Sequence, residues 1–487
     1  MMTLEQAREI SKGYSAVPIC EEIFSDIRTQ MGVLRILKGV SSHCYMLESV
    51  ENQENWGRYT FLGFEPKLEV TCVNHQITIK EGNQILRQEK VNHPGEVLKE
   101  ILGEYRSPKV EGLPPFTGGL VGYFSYDYVK YSEPKLKLDA KDEEGFKDVD
   151  LMLFDKVIAF DNVKQKMIII VNARTQNLEV EYEKARQEIR RIIDLIKTGT
   201  PIPVEPGRAT SEFRSLFNES EYCGMVEKAK KYIHEGDIFQ VVLSNRLEAD
   251  FEGSLLNTYR VLRTTNPSPY MFYFSSEELE VAGASPETLV KLEDGILHTY
   301  PLAGTRARGT TREEDLQLEQ ELLRDEKEKA EHNMLVDLGR NDLGKISKFG
   351  SVQVESYMNI ERYSHVMHIG STVRGEILEE KSVFDALDAV LPAGTLSGAP
   401  KIRAMEIINE LENCKRGIYG GAVGYIDFSG NLDTAIGIRL AYKKKNKVFV
   451  RSGAGIVADS VPKKEYQECI NKAKAVVLAL QKGEEEL

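Results

Sequence analysis

Between Leu178 and Ile196 the apolar residues Leu178, Tyr182, Ala185, Ile189, Ile192, Ile193 and Ile196 fall at helical spacing, and Thr198-Gly199 stops the run. Upstream the period is two. Residues 69 to 90 alternate in strand fashion with Glu81-Gly-Asn83 as a turn between two runs, and Val157 to Asn172 reads as a hairpin around Asp161-Asn162. Pro201-Ile-Pro-Val-Glu-Pro206-Gly207 then has the composition of a linker. This predicts a sheet-rich N-terminal domain over 1–200, a linker at 198–210 and a second domain over 211–487. Ser220 opens a helix with Tyr222, Met225, Val226, Ala229 and Ile233 on one face, closed by Gly236. Strands follow at Ile238 to Leu243, Tyr270 to Phe274, Leu279 to Ala282, Thr288 to Leu292 and Ile296 to Tyr300, the last two joined by Glu293-Asp-Gly295. The remainder reads as helices at 314–340, 383–390, 400–412 and 462–481, with hairpins at 418–428 and 434–452. Short turns impose antiparallel pairing, so the pattern predicts an α+β fold and argues against a doubly wound parallel sheet.

Composition narrows the partners. The chain has 487 residues, 41% of them hydrophobic, enough for a substantial core, and a formal net charge of −13 without a basic stripe. Nucleic acid and anionic membranes are therefore poor partners. The N-terminus lacks an apolar signal core and runs such as Met167 to Val171 are too short to span a bilayer, so the expected location is the cytoplasm. Six scattered cysteines without metal spacing read as reduced thiols.

The charged stretch that begins at Asp325 changes this picture. Glu328, Glu331 and His332 stand at i, i+3 and i+4 on one helical face, and Glu465 and Glu468 repeat the carboxylate spacing with Lys472 one turn on. Interleaved lysines leave a solvated helix face open as an explanation. The alternative is two facing helices whose four carboxylates hold a hard divalent cation such as Mg2+. Two nucleotide motifs are rejected. Gly453-Ala-Gly455-Ile-Val-Ala458 matches G-x-G-x-x-A, yet its strand is the second arm of a hairpin and no acidic residue follows about twenty positions on. Gly394-Thr-Leu-Ser-Gly-Ala-Pro-Lys401 lacks P-loop spacing, and Pro400 removes an N–H.

Six segments stand in a recognisable order: Ile238-Phe-Gln-Val-Val-Leu-Ser, Ala284-Ser-Pro-Glu287, Pro301-Leu-Ala-Gly-Thr-Arg306, Val336-Asp-Leu-Gly-Arg-Asn-Asp342, the Gly394–Lys401 segment and Arg451-Ser-Gly-Ala-Gly455. Over residues 215–480 the chain resembles the chorismate-utilising enzymes, and within them the anthranilate-forming branch. The resemblance implies two antiparallel sheets with flanking helices and a Mg2+ site in which Glu331 and Glu468 are direct ligands while Glu328 and Glu465 orient waters. It further implies Glu287 as general acid, His368 as the histidine that assists pyruvate elimination, and Thr395 as a donor from the Gly394 loop. His365 reads as structural. Tyr419 and Arg439 are expected at the enolpyruvyl carboxylate, with backbone N–H groups of Gly453, Ala454 and Gly455, further contacts from Gly304 and Thr305, and Lys472 facing a carboxylate.

Two positions discriminate among relatives. Where water-using enzymes carry a lysine base this chain has Gln240, which cannot take a proton. Where aminodeoxychorismate synthases usually carry lysine it has Ala303. The implied reaction is Mg2+-dependent conversion of chorismate and ammonia to anthranilate and pyruvate, with aminodeoxychorismate synthesis as the alternative. An amino-acid-binding regulatory protein with a dead catalytic half is a third reading, which the intact acidic set opposes. No Gly-x-Cys-x-Gly setting is present, so a separate glutamine amidotransferase subunit is implied. Finally, Leu47-Glu48-Ser49 and Asn266-Pro-Ser-Pro-Tyr-Met-Phe272 resemble a tryptophan effector site. There Pro267 and Pro269 would pin a turn that presents Tyr270 and Met271 as an apolar wall, with Glu48 and Ser49 reading the amino group. Departures at Met46 and Ala307 are conservative.

Overall fold

A computed structural model describes residues 2–49, 57–362 and 366–485. Its described strands form two antiparallel sheets, one of thirteen strands and one of twelve, with helices on their outer faces. The α+β expectation holds.

Side-chain alternation builds the layers. In the strand Tyr270–Ser275, Met271 and Tyr273 enter the core beneath the helices, while Phe272 and Phe274 enter an aromatic layer between the sheets. The strand Gly119–Phe124 in the second sheet does the same, with Leu120 and Phe124 toward its own helices and Val121 and Tyr123 toward the intersheet layer. Strands covered on both faces read as continuous apolar runs, which blunts the period-two signal. The order of layers is helices, sheet, sheet, helices.

The segment 199–207 carries neither helix nor strand. Both sheets nonetheless draw strands from both sides of it. Tyr270–Ser275 pairs with Cys44–Glu48, with Met271 opposite Glu48, and Ala422–Asp427 pairs with Gly119–Phe124. The stretches 1–200 and 211–487 therefore share both sheets, and the large core cluster takes residues from each.

Three elements differ from their predicted form. The helix expected over 314–340 is two, Arg312–Arg324 and Glu326–Gly344, because the Asp325 side chain accepts from the backbone N–H groups of Lys327 and Glu328 and starts a new helix. The run over 69–90 is three strands, since Asn74 and His75 take positive φ values of 47° and 68° and turn the chain once more. The hairpin expected at 418–428 is made instead by Ala422–Asp427 with Leu432–Ile436. The turn at Glu293-Asp-Gly295 stands as expected, with Asp294 and Gly295 at φ 53° and 79°.

Candidate active site

One cavity of about 840 Å³ opens between the helices Glu326–Gly344 and Pro462–Lys482 and the inner ends of several strands. Gln240, Glu287, Gly304, Thr305, Thr395 and His368 line one part of it, and Tyr419, Arg439, Gly453 and Gly455 another. Glu328, Glu331, Glu465, Glu468 and Lys472 complete the lining. Of the residues expected at the catalytic centre only Ala454 is withdrawn from the wall, fully buried in the core beneath it. His365 lies outside the described residues.

Glu287 sits between the strands Leu279–Ser285 and Thr288–Glu293. Burial raises its pKa to about 7, partly offset by the Thr395 hydroxyl, which donates to Oε1 at 3.0 Å, and by Lys472. A carboxyl poised near neutrality is suited to deliver a proton. His368, on the strand Val366–Glu376, holds Nδ1 2.8 Å from the Gly304 carbonyl and 3.1 Å from Thr305 Oγ1. Burial lowers the pKa of His368, so it is neutral at pH 7, and donation from Nδ1 to the carbonyl makes Nε2 the basic atom. Gly304 is at φ +66° at a bulge in its strand, and a Cβ there would come within 2.9 Å of Leu322, so both backbone and space require glycine.

The opposite wall is cationic. Arg439 is exposed where it lines the cavity, and partial desolvation holds its pKa below the ordinary value. The neighbour that favours its charge is Tyr419, and among the described residues its guanidinium makes no ion pair. A guanidinium that faces a cavity without a carboxylate partner suits an anion. The strand Lys447–Ile456 supports this wall. Up to Val450 it is paired on both sides, but from Arg451 to Ile456 it pairs only with the strand Gln240–Glu252, so its other edge presents backbone groups to the cavity. Lys472 Nζ donates to the Gly453 carbonyl there at 3.2 Å. The glycines serve close approach, though to protein atoms: a Cβ on Gly453 would lie 2.8 Å from the Tyr419 hydroxyl, and one on Gly455 2.7 Å from the Gln240 amide nitrogen.

The four glutamates line the cavity but are not drawn into a ready-made cluster. Among the described residues no group of three or more His, Cys, Asp or Glu is gathered tightly enough to hold a metal. Glu468 pairs with Lys472 at 2.7 Å and Glu328 with Arg306 at 3.6 Å. Burial, then the neighbouring Glu328 and Glu468, push the pKa of Glu331 up, and burial and Glu468 do the same at Glu465. A hard cation that keeps most of its waters and takes one or two carboxylates fits this donor set. His332, expected beside them, does not line the cavity: it is fully buried, with Nε2 2.6 Å from Ser371 Oγ.

Residues 42–478 match the chorismate binding enzyme family. The chain belongs to that family. It is 47% identical to anthranilate synthase component 1 of Acetivibrio thermocellus over 99% of both chains, and 47% identical to that of Aquifex aeolicus over 99% of this chain and 98% of the other. The crystal structure of anthranilate synthase component I from Streptococcus pneumoniae superimposes with a TM-score of 0.76 at 37% identity, covering 94% of this chain and 99% of that one. The menaquinone-specific isochorismate synthase of Escherichia coli, at 19% identity and a TM-score of 0.70, shares the fold. Identity of this extent along the whole chain places this chorismate binding enzyme with the anthranilate synthase large components.

The expected effector residues meet on or beside adjacent strands of the first sheet, and Tyr270 links them to the Glu287 loop: it stands opposite Ser285, and its hydroxyl lies 3.0 Å from Thr288 Oγ1. Glu48 is buried, accepts from the Tyr259 hydroxyl at 2.6 Å and pairs with Arg263, whose Nη2 stands 2.9 Å from Oε2. Its carboxylate thus already has a cationic partner. Met271 is in the core opposite Glu48, Tyr270 donates to Asp433 at 2.7 Å, and Leu47, Ser49 and Pro269 are half-buried. Lys401, discarded above as a phosphate ligand, donates to Asp342 at 2.6 Å and to the Val390 carbonyl, tying the Gly394 loop to the carboxylate-bearing helix. Sequence reasoning passed over Glu412 and Arg416 altogether, because one glutamate at the end of a predicted helix and one arginine in the loop after it carry no periodic signal.

Proposed function

We propose that the cavity takes chorismate and, with Mg2+, converts it and ammonia to anthranilate and pyruvate, the ammonia coming from glutamine on a separate amidotransferase subunit in the cytoplasm. The observation that carries this reading is the meeting in one cavity of Glu287, its pKa raised to about 7, with His368, neutral at pH 7, and Arg439, which has no ion pair among the described residues. Chorismate has two carboxylates, a C4 hydroxyl to expel and, after amination, a C2 proton to remove. Arg439 and the open strand edge at Gly453–Gly455 orient one carboxylate. Glu287 protonates the C4 hydroxyl, which departs as water while ammonia adds at C2. His368, through Nε2, assists removal of the C2 proton as pyruvate leaves. Glu331 and Glu468 would hold Mg2+ directly and Glu328 and Glu465 would orient its waters, and the ion would supply positive charge to offset the second carboxylate.

Gln240 and Ala303 both lack a titratable nitrogen base, which supports ammonia over water as nucleophile and aromatisation to anthranilate over arrest at aminodeoxychorismate. The chain incubated with chorismate, Mg2+ and ammonium should produce anthranilate fluorescence. Absence of turnover overturns the reading, and aminodeoxychorismate accumulating without anthranilate selects the folate-pathway alternative. We also infer that tryptophan inhibits from the Leu47–Ser49 and Pro269–Met271 region, on the support that these residues from distant parts of the chain lie on paired strands.

A further inference from the structure

Beneath the cavity lies a buried ion cluster to which the reaction assigns no part. Glu412, at the end of the helix Lys401–Glu412, and Arg416 and Arg451 are each no more than 3% exposed. Arg416 reaches Glu412 through Nε at 3.1 Å and also through Nη2, and Arg451 Nη2 reaches it at 2.9 Å. Burial opposes the charge on Glu412, but the two guanidiniums and the Ser244 N–H hold its pKa below the ordinary value. Two buried cations share one carboxylate, an arrangement that replacement by apolar residues often matches or improves in stability. Stability alone is a weak reason for it.

The remaining hydrogen bonds show where the cluster acts. Arg416 Nη1 donates to the Leu396 carbonyl at 2.6 Å, next to Thr395, whose hydroxyl holds Glu287. Its Nη2 donates to the Val242 carbonyl at 2.7 Å, two residues beyond Gln240. The guanidinium lies 5.8 Å from the centroid of the Tyr419 ring and 4.7 Å from that of Tyr126. Ser244 donates to Glu412 from its backbone and its hydroxyl, at 2.7 and 3.0 Å, and stands opposite Gly453 in the sheet. Arg451 also donates to the Lys415 carbonyl at 2.7 Å, away from the cavity, but the Leu396 and Val242 carbonyls that Arg416 holds belong to residues of the cavity wall itself, and Ser244 stands opposite one of its glycines. A guanidinium fork bonded to two carbonyls fixes two directions at once, which a lysine cannot do.

We propose that Arg416, held by Glu412, is a positioning residue that sets the place of Thr395, and hence of the Glu287 carboxyl, and of Tyr419 relative to substrate. This rests on the proposed reaction. The test measures kcat and KM for chorismate with saturating ammonium, together with thermal melting, for wild type, Arg416→Lys, Thr395→Val and the double variant. Misplacement of a catalytic group by about 1 Å costs about 100-fold in rate. Arg416→Lys should lose kcat by about that factor with a far smaller change in KM, in protein that melts as a cooperative fold. The double variant should fall well short of the product of the two single losses, because both substitutions disturb the same hydrogen bond. Ser244→Ala, a milder change in the same cluster, should show the same non-additivity with Thr395→Val at a smaller amplitude, and decides the matter if Arg416→Lys does not fold. Unchanged kcat in folded Arg416→Lys, or losses that multiply in both pairs, overturns the proposal. A wild type inactive toward chorismate overturns the reaction on which it rests, which is a different result.

Discussion

Glu287 gives the site its pH dependence. Its pKa is raised from the carboxylate range to about 7, so the acid form needed for leaving-group departure is lost as pH rises through that value. At constant free ammonia, kcat/KM for chorismate should therefore fall above about pH 7. Thr395→Val should move that limb upward, because the hydroxyl stabilises the charged carboxylate. A downward shift would refute the assignment. Glu331 obeys the same sign. Burial and like charges raise its folded pKa, so the metal-free protein binds a proton more readily than the unfolded chain, and its stability falls as pH rises from the unfolded value through the folded one. Glu331→Gln removes that penalty and should melt no lower than wild type at pH 8 without metal, while losing essentially all Mg2+-dependent turnover. Full Mg2+-dependent activity in both Glu331→Gln and Glu468→Gln would rule out their role as ligands.

At the scale of elements, the break at Asp325 decides how the first pair of carboxylates is presented. Asp325 caps the helix Glu326–Gly344 and pairs with Arg306 at 3.0 Å, and Arg306 also faces Glu328. Asp325→Ala should cost about 1 kcal/mol of stability for the lost cap and raise the Mg2+ concentration needed for half-maximal rate, both measurable in one preparation. An unchanged Mg2+ requirement would separate the cap from the metal site. The helices here were legible because each stripe repeats over several turns, as in Leu178–Thr198, and Val383–Val390 matches its predicted bounds. The break at Asp325 was not legible from periodicity, since the acidic pattern continues through it. Strands such as Gly119–Phe124, apolar on both faces, offered no alternation to read. The cavity residues were legible through short motifs, and the glycines at 453 and 455 through the close approach they permit, but that the near neighbours include Tyr419 and Gln240 was not, because those residues come from distant parts of the chain.

For the whole molecule, the pairing of Met271 with Glu48 joins the expected effector strands to the sheet that ends at the cavity wall. If tryptophan and chorismate favour different placements of these strands, each weakens the other's binding by the same factor, typically about 1 to 3 kcal/mol. Ser49→Ala or Met271→Ala should relieve inhibition while preserving activity without effector. Calorimetric titration of tryptophan with and without a chorismate analogue measures the coupling. Tryptophan heat that is absent, or indifferent to the analogue and to Ser49→Ala, would leave these residues as packing.

The shared sheets also bear on how the chain is made. The strand Gly119–Phe124 waits for Ala422–Asp427, about 300 residues further on, and at roughly 5–20 residues per second that is tens of seconds of synthesis. Throughout that interval one edge of a fully apolar strand has no partner. Nascent chains should therefore depend on chaperones that cover such edges, and refolding from denaturant should be slow and sensitive to protein concentration.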